Sequence, residues 1–312
     1  MSRPGLSTLL GRFPRRQFLR DHWPRTLLVQ HGPAARLKGL VDAPELRDVD
    51  ALTALHARQW LVQSARFKNR FGNVPVAGSA AAEFFHTGHT IYAVEPEFRS
   101  APFLRWLAAL ERDLALSAGL ILPSVFLSKP GPGSRMHFDA QESFVVQVRG
   151  RKRWWLAPNE GVQFPAENYI AGDAVPGSLA VQLDRPLADR MPHDAVSVVL
   201  EPGSIMFVPR GTWHATETLE ESWHLDLMLP LPTWGDTVAA RLAEHFHASA
   251  HWREPMLDAT ALDERLALLT AELQAASPTA PDRPTPKAAR PARAGSRRTP
   301  AARTASRRRS RR

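Results

Sequence analysis

Residues 124–157 read SVFLSKPGPGSRMHFDAQESFVVQVRGRKRWWLA, and this stretch decides the fold. Short runs rich in Val, Phe and Trp alternate in it with turns marked by Pro and Gly, a pattern typical of β-strands. Similar runs follow at 197–211 (SVVLEPGSIMFVPRG) and 222–229 (SWHLDLML). Several short strands at close spacing predict a β-sandwich or β-barrel over residues 121–232.

The segments on either side of this β-rich region are predicted to be helical. Within residues 1–120, PELRDVDALTALHARQW (44–60) and PFLRWLAALERDLAL (102–116) both open with proline, whose missing N–H costs little at a helix start. Residues 233–276 hold two patterns with apolar side chains at three- and four-residue spacing, as amphipathic helices require. The predicted architecture is a mainly β core flanked by N- and C-terminal α-helices.

Positive charge is concentrated at the C-terminal end of the chain. The net charge is +9, and residues 277–312 contain twelve Lys or Arg against one acid, Asp282. Because this segment has no large apolar side chain, we predict that it is disordered. A basic tail attracts phosphate without reading sequence, so non-specific contact with nucleic acid or the ribosome is one expectation, and simple solubilisation is another.

The sequence argues against cysteine-based sites, membrane-spanning segments and a secretory signal. No cysteine is present, so disulfides and Cys-ligated zinc or iron–sulfur centres are excluded, and a bound metal has only His, carboxylate or carbonyl ligands. The longest apolar stretch, around 114–122, is far shorter than the roughly 20 residues that cross a bilayer. Residues 1–18 are basic and lack the apolar centre of a secretory signal. A transit peptide is an alternative reading, and a cytoplasmic protein is expected.

A metal site is predicted from His137-Phe138-Asp139, which follows a Pro/Gly loop on a predicted strand. Residues i and i+2 of a strand point to one face, so this imidazole and this carboxylate can point together into a barrel. A second neutral imidazole would complete the facial triad of non-haem Fe(II) enzymes, with positions left open for cosubstrate and dioxygen. His214 is the natural third ligand, because it follows a strand, a turn, another strand and a proline-marked corner.

A His-x-Asp triplet carries little weight by itself, since a second one, His224-Leu225-Asp226, occurs in the same chain. The ordinary explanation of an isolated triplet is a surface pair or a satisfied polar contact. What distinguishes the first triplet is its setting: an entry loop, the strand FVVQV, the turn Arg149-Gly150 and the basic strand RKRWW. We expect Asp226 to lie near the metal at most as a neighbour of the ligands.

Together with the later segment that carries His214, these elements resemble the JmjC/cupin-like family of Fe(II)- and 2-oxoglutarate-dependent oxygenases. The similarity extends to the asparaginyl and ribosomal-protein hydroxylase branches and covers roughly residues 124–229. It implies a double-stranded β-helix, the cupin or jelly-roll fold. It also implies that His137, Asp139 and His214 are the iron ligands and the catalytic residues.

The resemblance further implies a cosubstrate site. Lys152 falls where the family places the Lys or Arg that pairs with the far carboxylate of 2-oxoglutarate, and Ser134 matches a hydroxyl that hydrogen-bonds the same group. Strand alternation puts Lys152 on the face of Trp154, away from the arginines on either side; the alternative is a solvated hairpin tip. Tyr92 is the nearest candidate for a tyrosine that some members use on 2-oxoglutarate.

The implied activity is hydroxylation, with Fe(II) as cofactor, 2-oxoglutarate and O2 as cosubstrates, and succinate and CO2 as products. A protein or peptide side chain is the favoured substrate, and hydroxylation is favoured over demethylation. Two alternatives stay open: a small-molecule hydroxylase, and a non-catalytic cupin-like binding module. The intact set of His137, Asp139 and His214 argues against the module. The sequence leaves the hydroxylated atom and the oligomeric state open.

Overall fold

The computed structural model describes residues 4–63, 73–257 and 259–275. They belong to two compact units that divide after residue 249. The strands are β1 (Leu28–Gln30), β2 (Ala57–Gln63), β3 (Asn73–Val76), β4 (Thr90–Pro96), β5 (Leu122–Ser128), β6 (Gly131–Pro132), β7 (His137–Phe138), β8 (Glu142–Arg149), β9 (Lys152–Ala157), β10 (Tyr169–Ile170), β11 (Val196–Leu200), β12 (Ile205–Val208), β13 (Trp213–Thr218) and β14 (Ser222–Leu229). The α-helices are α1 (Leu6–Leu10), α2 (Arg15–Asp21), α3 (Val49–Thr53), α4 (Gly78–His86), α5 (Ala101–Asp113), α6 (Gly177–Ala180), α7 (Trp234–Ala248) and α8 (Leu262–Ala275).

Two antiparallel sheets form the centre of the first unit. The larger sheet has the order β1-β12-β8-β14-β5-β4-β2-β3, and the smaller has the order β10-β7-β13-β9-β11 with β6 paired to β13. Between β5 and β14 the chain passes repeatedly from one sheet to the other, as in a jelly roll. The predicted fold class, a double-stranded β-helix flanked by helices, is confirmed.

The two faces of the larger sheet have different surroundings. Its outer face is apolar and packs against the N-terminal helices, where the ring of Phe18 lies 5.3 Å from that of Phe207. On β14, Leu225 belongs to this outer core, whereas His224 and Asp226 alternate with it and face the space between the two sheets. The polar residues that could carry chemistry are therefore gathered inside the barrel.

The N-terminal third corrects one prediction. The helix predicted over residues 44–60 ends early: a 3₁₀ turn (Pro44–Leu46) and α3 are present, but β2 begins at Ala57. Strands β2, β3 and β4 extend the larger sheet, so residues 1–120 supply strands as well as helices. The local pattern could not reveal this, because pairing of β4 with β5 far along the chain stabilises these strands. The helix predicted over residues 102–116 is confirmed by α5.

Both predicted C-terminal helices are present, as α7 and α8. Helix α7 starts at Trp234, a short segment after the last barrel strand, and Thr233 and Asp236 form a capping box at its start. The division after residue 249 separates α7 from α8, whereas the sequence prediction grouped both helices in residues 233–276. The tail predicted over residues 277–312 lies outside the described residues. Among the described helices, none combines the length and the apolar character that a membrane crossing needs.

Candidate active site

The predicted ligands His137, Asp139 and His214 converge at one end of the barrel. Strands β7 and β13 are neighbours in the smaller sheet, and their register pairs His137 with His214. Asp139 follows β7 directly, and its Oδ2 lies 3.6 Å from Nε2 of His214. One ligand atom from each of the three side chains lies within 4.8 Å of the others. His214 is buried, while His137 and Asp139 are partly exposed.

Both imidazoles are held in the orientation that a metal requires. His137 Nδ1 lies 2.7 Å from the carbonyl oxygen of Arg135, and His214 Nδ1 lies 2.9 Å from that of Thr212. Because a carbonyl only accepts, each Nδ1–H donates to it, and each Nε2 presents its lone pair. Burial, with His137 nearby, lowers the pKa of His214 to about 4, so this imidazole is neutral at physiological pH.

This donor set fits an iron(II) ion. Two neutral imidazoles and one carboxylate are the ligands of the facial triad of non-haem iron oxygenases, and they neutralise only part of the metal charge. The triad is the one group of three or more His, Asp or Glu with metal-ligand spacing among the described residues. The residues present therefore fit such a metal ion and leave coordination positions for other ligands.

Lys152 lies at the start of β9 in the same barrel, where the register pairs it with Thr218, at the far end of β13 from His214. The side chains of β9 alternate as predicted: Lys152 and Trp154 are buried, whereas Arg151 is exposed and Arg153 partly so. Lys152 Nζ donates a hydrogen bond of 3.3 Å to Ser128 Oγ and pairs with no carboxylate among the described residues. Burial lowers the pKa of this ammonium to about 7. The alternative of a solvated hairpin tip is therefore wrong.

Several hydrogen-bonding groups around Lys152 have no partner within the described structure. Three buried atoms lack a hydrogen-bond partner: Trp154 Nε1, Thr218 Oγ1 and His224 Nδ1. Lys152 Nζ lies 6.0 Å from the centre of the Trp154 ring, and Trp154 packs edge-on against His224 with ring centres 5.7 Å apart. Thr218 pairs with Lys152 across β13 and β9. A buried cation among unsatisfied donors is the chemistry of an anion site.

Ser134, the other predicted cosubstrate residue, is tied to β13. Its backbone N–H donates to Thr216 Oγ1 at 2.8 Å, and the two hydroxyl oxygens lie 2.9 Å apart. Thr216 stands two positions from Thr218 on the same face of β13. Ser134 thus lies on the side of the barrel between the triad and Lys152, and its direct contact with a cosubstrate stays a prediction.

The second triplet also lies inside the barrel. Phe126 stacks between Tyr92 and His224, with ring centres 4.8 and 4.9 Å away. Burial and the charge of Asp139 raise the pKa of Asp226 to about 7 and that of Tyr92 to about 12. Asp226 and Tyr92 thus lie within the electrostatic influence of Asp139, and a position of Asp226 beside the metal ligands stays a prediction.

Sequence reasoning missed part of this interior. The sequence places Trp154 on the face of Lys152 but assigns it no role, and it gives no indication of Ser128 or Thr218. The alternation of β9 that identified Lys152 also marks Trp154 as its neighbour, so that signal was available. Thr218 meets Lys152 through pairing of β13 with β9, and Ser128 meets it from β5 of the opposite sheet. The local sequence holds no signal for either contact.

Comparison with known proteins places these residues in a family. A family model described as a JmjC domain matches residues 108–237. This region is therefore similar to JmjC domains. It contains the triad, Lys152 and Ser134.

Proteins similar to this chain include ribosomal oxygenases. The uncharacterized protein YxbC of Bacillus subtilis is 27% identical over 270 residues, which cover 83% of this chain and 81% of YxbC. Ribosomal oxygenase 1 of Danio rerio is 27% identical over 234 residues, covering 71% of this chain and 40% of the relative. YcfD of Escherichia coli, a solved structure, aligns at 20% identity with a TM-score of 0.47, covering 89% of this chain and 62% of that chain. The chain thus spans less than half of the length of the ribosomal oxygenase that it matches and under two thirds of YcfD.

Proposed function

We propose that this chain is an Fe(II)- and 2-oxoglutarate-dependent dioxygenase that hydroxylates a protein side chain. One observation carries the proposal: a His137, Asp139 and His214 triad shares its barrel with Lys152, a buried cation without an acidic partner among the described residues. A triad alone fits many metals and reactions. A metal site joined to a site for a distant carboxylate fits a dicarboxylate that reaches from one to the other.

The residues of this chain would divide the work as follows. His137, Asp139 and His214 would hold the metal, and the Nδ1 hydrogen bonds of the two imidazoles would keep their Nε2 atoms aimed at it. Lys152 would pair with the far carboxylate of 2-oxoglutarate, with Trp154 and Thr218 as further donors. Bound iron(II), together with 2-oxoglutarate and dioxygen, supplies the oxidation of a substrate C–H bond with release of succinate and CO2.

Bound 2-oxoglutarate would also change the protonation state of Lys152. Burial holds the pKa of the ammonium at about 7, so the free protein at neutral pH contains both forms. A carboxylate beside Nζ favours the charged form and raises this pKa again. Binding of the dicarboxylate above pH 7 is therefore expected to take up a proton.

A ribosomal protein is the substrate class that the comparisons support. Relatives carry the names ribosomal oxygenase 1 and "bifunctional lysine-specific demethylase and histidyl-hydroxylase NO66", the latter from Drosophila willistoni at 30% identity over 52% of this chain. Partial exposure of His137 and Asp139 supports entry of a side chain from solvent. Such a substrate fits a cytoplasmic protein, and the basic residues of 277–312 would favour contact with ribosomal RNA.

The test is turnover by the full chain with Fe(II), 2-oxoglutarate and a pool of ribosomal proteins from the same organism. We expect succinate release that the pool stimulates, with one oxygen atom added to one protein as measured by mass spectrometry. Asp139→Ala removes one proposed metal ligand and serves as the control for succinate release that does not depend on the metal site. Succinate release stimulated only by small molecules would favour a small-molecule hydroxylase. No release under any condition would contradict the enzyme.

A further inference from the structure

A buried ion pair lies beside the triad, and neither partner is a candidate ligand. Arg210 Nε donates to Glu142 Oε1 at 2.8 Å, and Nη2 donates to Oε2 at 3.1 Å. The side chains of Arg210 and Glu142 are only 7% and 4% exposed. The contact is a bidentate, desolvated pair, whereas the other Arg–carboxylate and Lys–carboxylate pairs of the described structure have more exposed side chains.

The positions of these two residues connect the segments that carry the ligands. Glu142 begins β8, three residues after Asp139, and Arg210 lies in the corner four residues before His214. The same corner is tied to the first segment by the backbone, since Gly211 N–H donates to the carbonyl oxygen of Asp139 at 2.8 Å. Arg210 Nη2 also donates to the carbonyl oxygen of Leu231 at 2.8 Å, at the exit of β14. The Arg210 guanidinium therefore connects three chain segments: its own corner, the start of β8 and the exit of β14.

Stability alone does not account for this pair. Removing two charges from water is costly, and replacing a buried ion pair by apolar side chains of similar volume is often neutral or stabilising. What apolar side chains cannot supply is direction, because a planar guanidinium fixes both its distance and its angle to a carboxylate. The spacing between Asp139 and His214 is the feature of this region that needs such precision.

We propose that Arg210 and Glu142 are positioning residues that hold the Asp139 segment and the His214 corner at metal-binding spacing. The proposal rests on the metal site proposed above. It predicts that metal affinity and metal geometry depend on the pair even where folding stability does not. Partners that orient metal ligands typically contribute about 10–100-fold in affinity.

The experiment uses the full chain with Co(II) as a spectroscopic probe of the ligand set. We would measure Co(II) affinity by calorimetry, the visible absorption of the bound ion, and the thermal midpoint of the protein without metal. The decisive variant is the double replacement Glu142→Leu with Arg210→Met, which removes both charges and keeps the volume. Glu142→Gln is the second variant, because it keeps the side-chain shape but removes the negative charge and one of the two acceptors of the pair.

A matched control comes from Glu111, another buried carboxylate in the first unit. Its Oε1 accepts hydrogen bonds from the N–H groups of Gly119 and Ile121, in a loop that carries no ligand. Glu111→Gln is expected to lower the thermal midpoint and to leave Co(II) affinity and spectrum unchanged.

We expect the double variant to fold, to bind Co(II) about 10–100-fold more weakly than wild type and to show an altered visible spectrum. Wild-type affinity and spectrum in the folded double variant would overturn the proposal and make the pair purely structural. If the double variant does not fold, Glu142→Gln decides: weaker Co(II) binding supports positioning, and unchanged binding overturns it. Absence of Co(II) binding by the wild type would instead refute the metal site itself.

Discussion

Asp139 Oδ2 lies 3.6 Å from His214 Nε2, although five strands, β8 to β12, separate the two residues along the chain. The register of the smaller sheet produces this proximity, since β7 and β13 place His137 opposite His214. Carbonyl oxygens of Arg135 and Thr212 fix the two imidazole rings. The fold thus prepares the ligand set through strand pairing and backbone hydrogen bonds, which is how rigid scaffolds keep metal sites accurate.

The first prediction concerns metal binding by this set. The purified wild type is expected to bind about one Fe(II), and His137→Ala or Asp139→Ala to remove this binding, because two ligands rarely hold a facial-triad metal. Calorimetry with Fe(II) under anaerobic conditions measures the loss, and circular dichroism checks that the fold persists. Asp226→Asn is the matched carboxylate control, and it should keep the metal. If Asp226→Asn abolishes binding while Asp139→Ala is tolerated, the wrong triplet carries the site.

The second prediction concerns Lys152. Lys152→Ala should raise the 2-oxoglutarate concentration needed for succinate release at least tenfold, because losing one partner of a desolvated charge pair costs about 2–5 kcal/mol. Fe(II) affinity should be unchanged, since Lys152 is not one of the three ligands and pairs with Thr218, away from His214 along β13. Lys152→Arg should keep part of the binding, because the charge survives with a different geometry. An Ala variant with unchanged 2-oxoglutarate dependence would remove Lys152 from the site.

The third prediction links Lys152 to the pH dependence of stability. Its pKa is about 7 in the folded protein and roughly 10.4 in an unfolded chain. Between these values the unfolded chain binds a proton that the native site does not, so this group makes the free energy of unfolding rise with pH. Lys152→Met removes the buried ammonium, so the variant should be more stable than wild type below pH 7. This advantage should shrink as pH rises toward roughly 10.4.

Chemical denaturation of both proteins in the absence of 2-oxoglutarate measures this difference at pH 6.5, 8 and 9.5. A stability difference that stays constant over this range would show that Lys152 keeps an ordinary pKa. Ser128→Ala is a useful comparison, because it removes the hydroxyl that accepts from Nζ and leaves the titrating group in place.

The fourth prediction concerns residues 277–312. With twelve basic residues and one acid, they should supply salt-sensitive attraction to RNA. Deleting them is expected to leave the thermal midpoint within error and to weaken ribosome association in low salt. Co-sedimentation with ribosomes at several salt concentrations compares the full chain with the chain that lacks residues 277–312. A large fall in thermal midpoint would show that this segment packs against the folded protein, contrary to its composition.

Strand alternation was the most informative signal in the sequence. It placed His137 with Asp139 and Lys152 with Trp154, and the structure has both pairs as expected. The choice of His214 needed the proline-marked corner and the family resemblance, because nothing local ties residue 214 to residue 139. Helix α5 followed from the proline near its start, and helix α7 followed from its apolar spacing.

Long-range pairing explains what the sequence did not predict. Residues of β2 resemble the end of a helix when read locally, and their pairing with β3 and β4 makes them a strand. The Arg210–Glu142 pair and the Ser128–Lys152 hydrogen bond join residues far apart in the chain. Such contacts depend on sheet register, which a single sequence specifies only through the complete fold.

The most direct test of the account is the visible absorption of the wild type when Fe(II) and 2-oxoglutarate are added together without oxygen. Chelation of triad-bound iron by the cosubstrate predicts a weak charge-transfer band that neither addition gives alone. The band should be absent in Asp139→Ala, and in Lys152→Ala it should require more 2-oxoglutarate. A wild type that binds Fe(II) but gives no band at saturating 2-oxoglutarate would contradict the proposed dioxygenase.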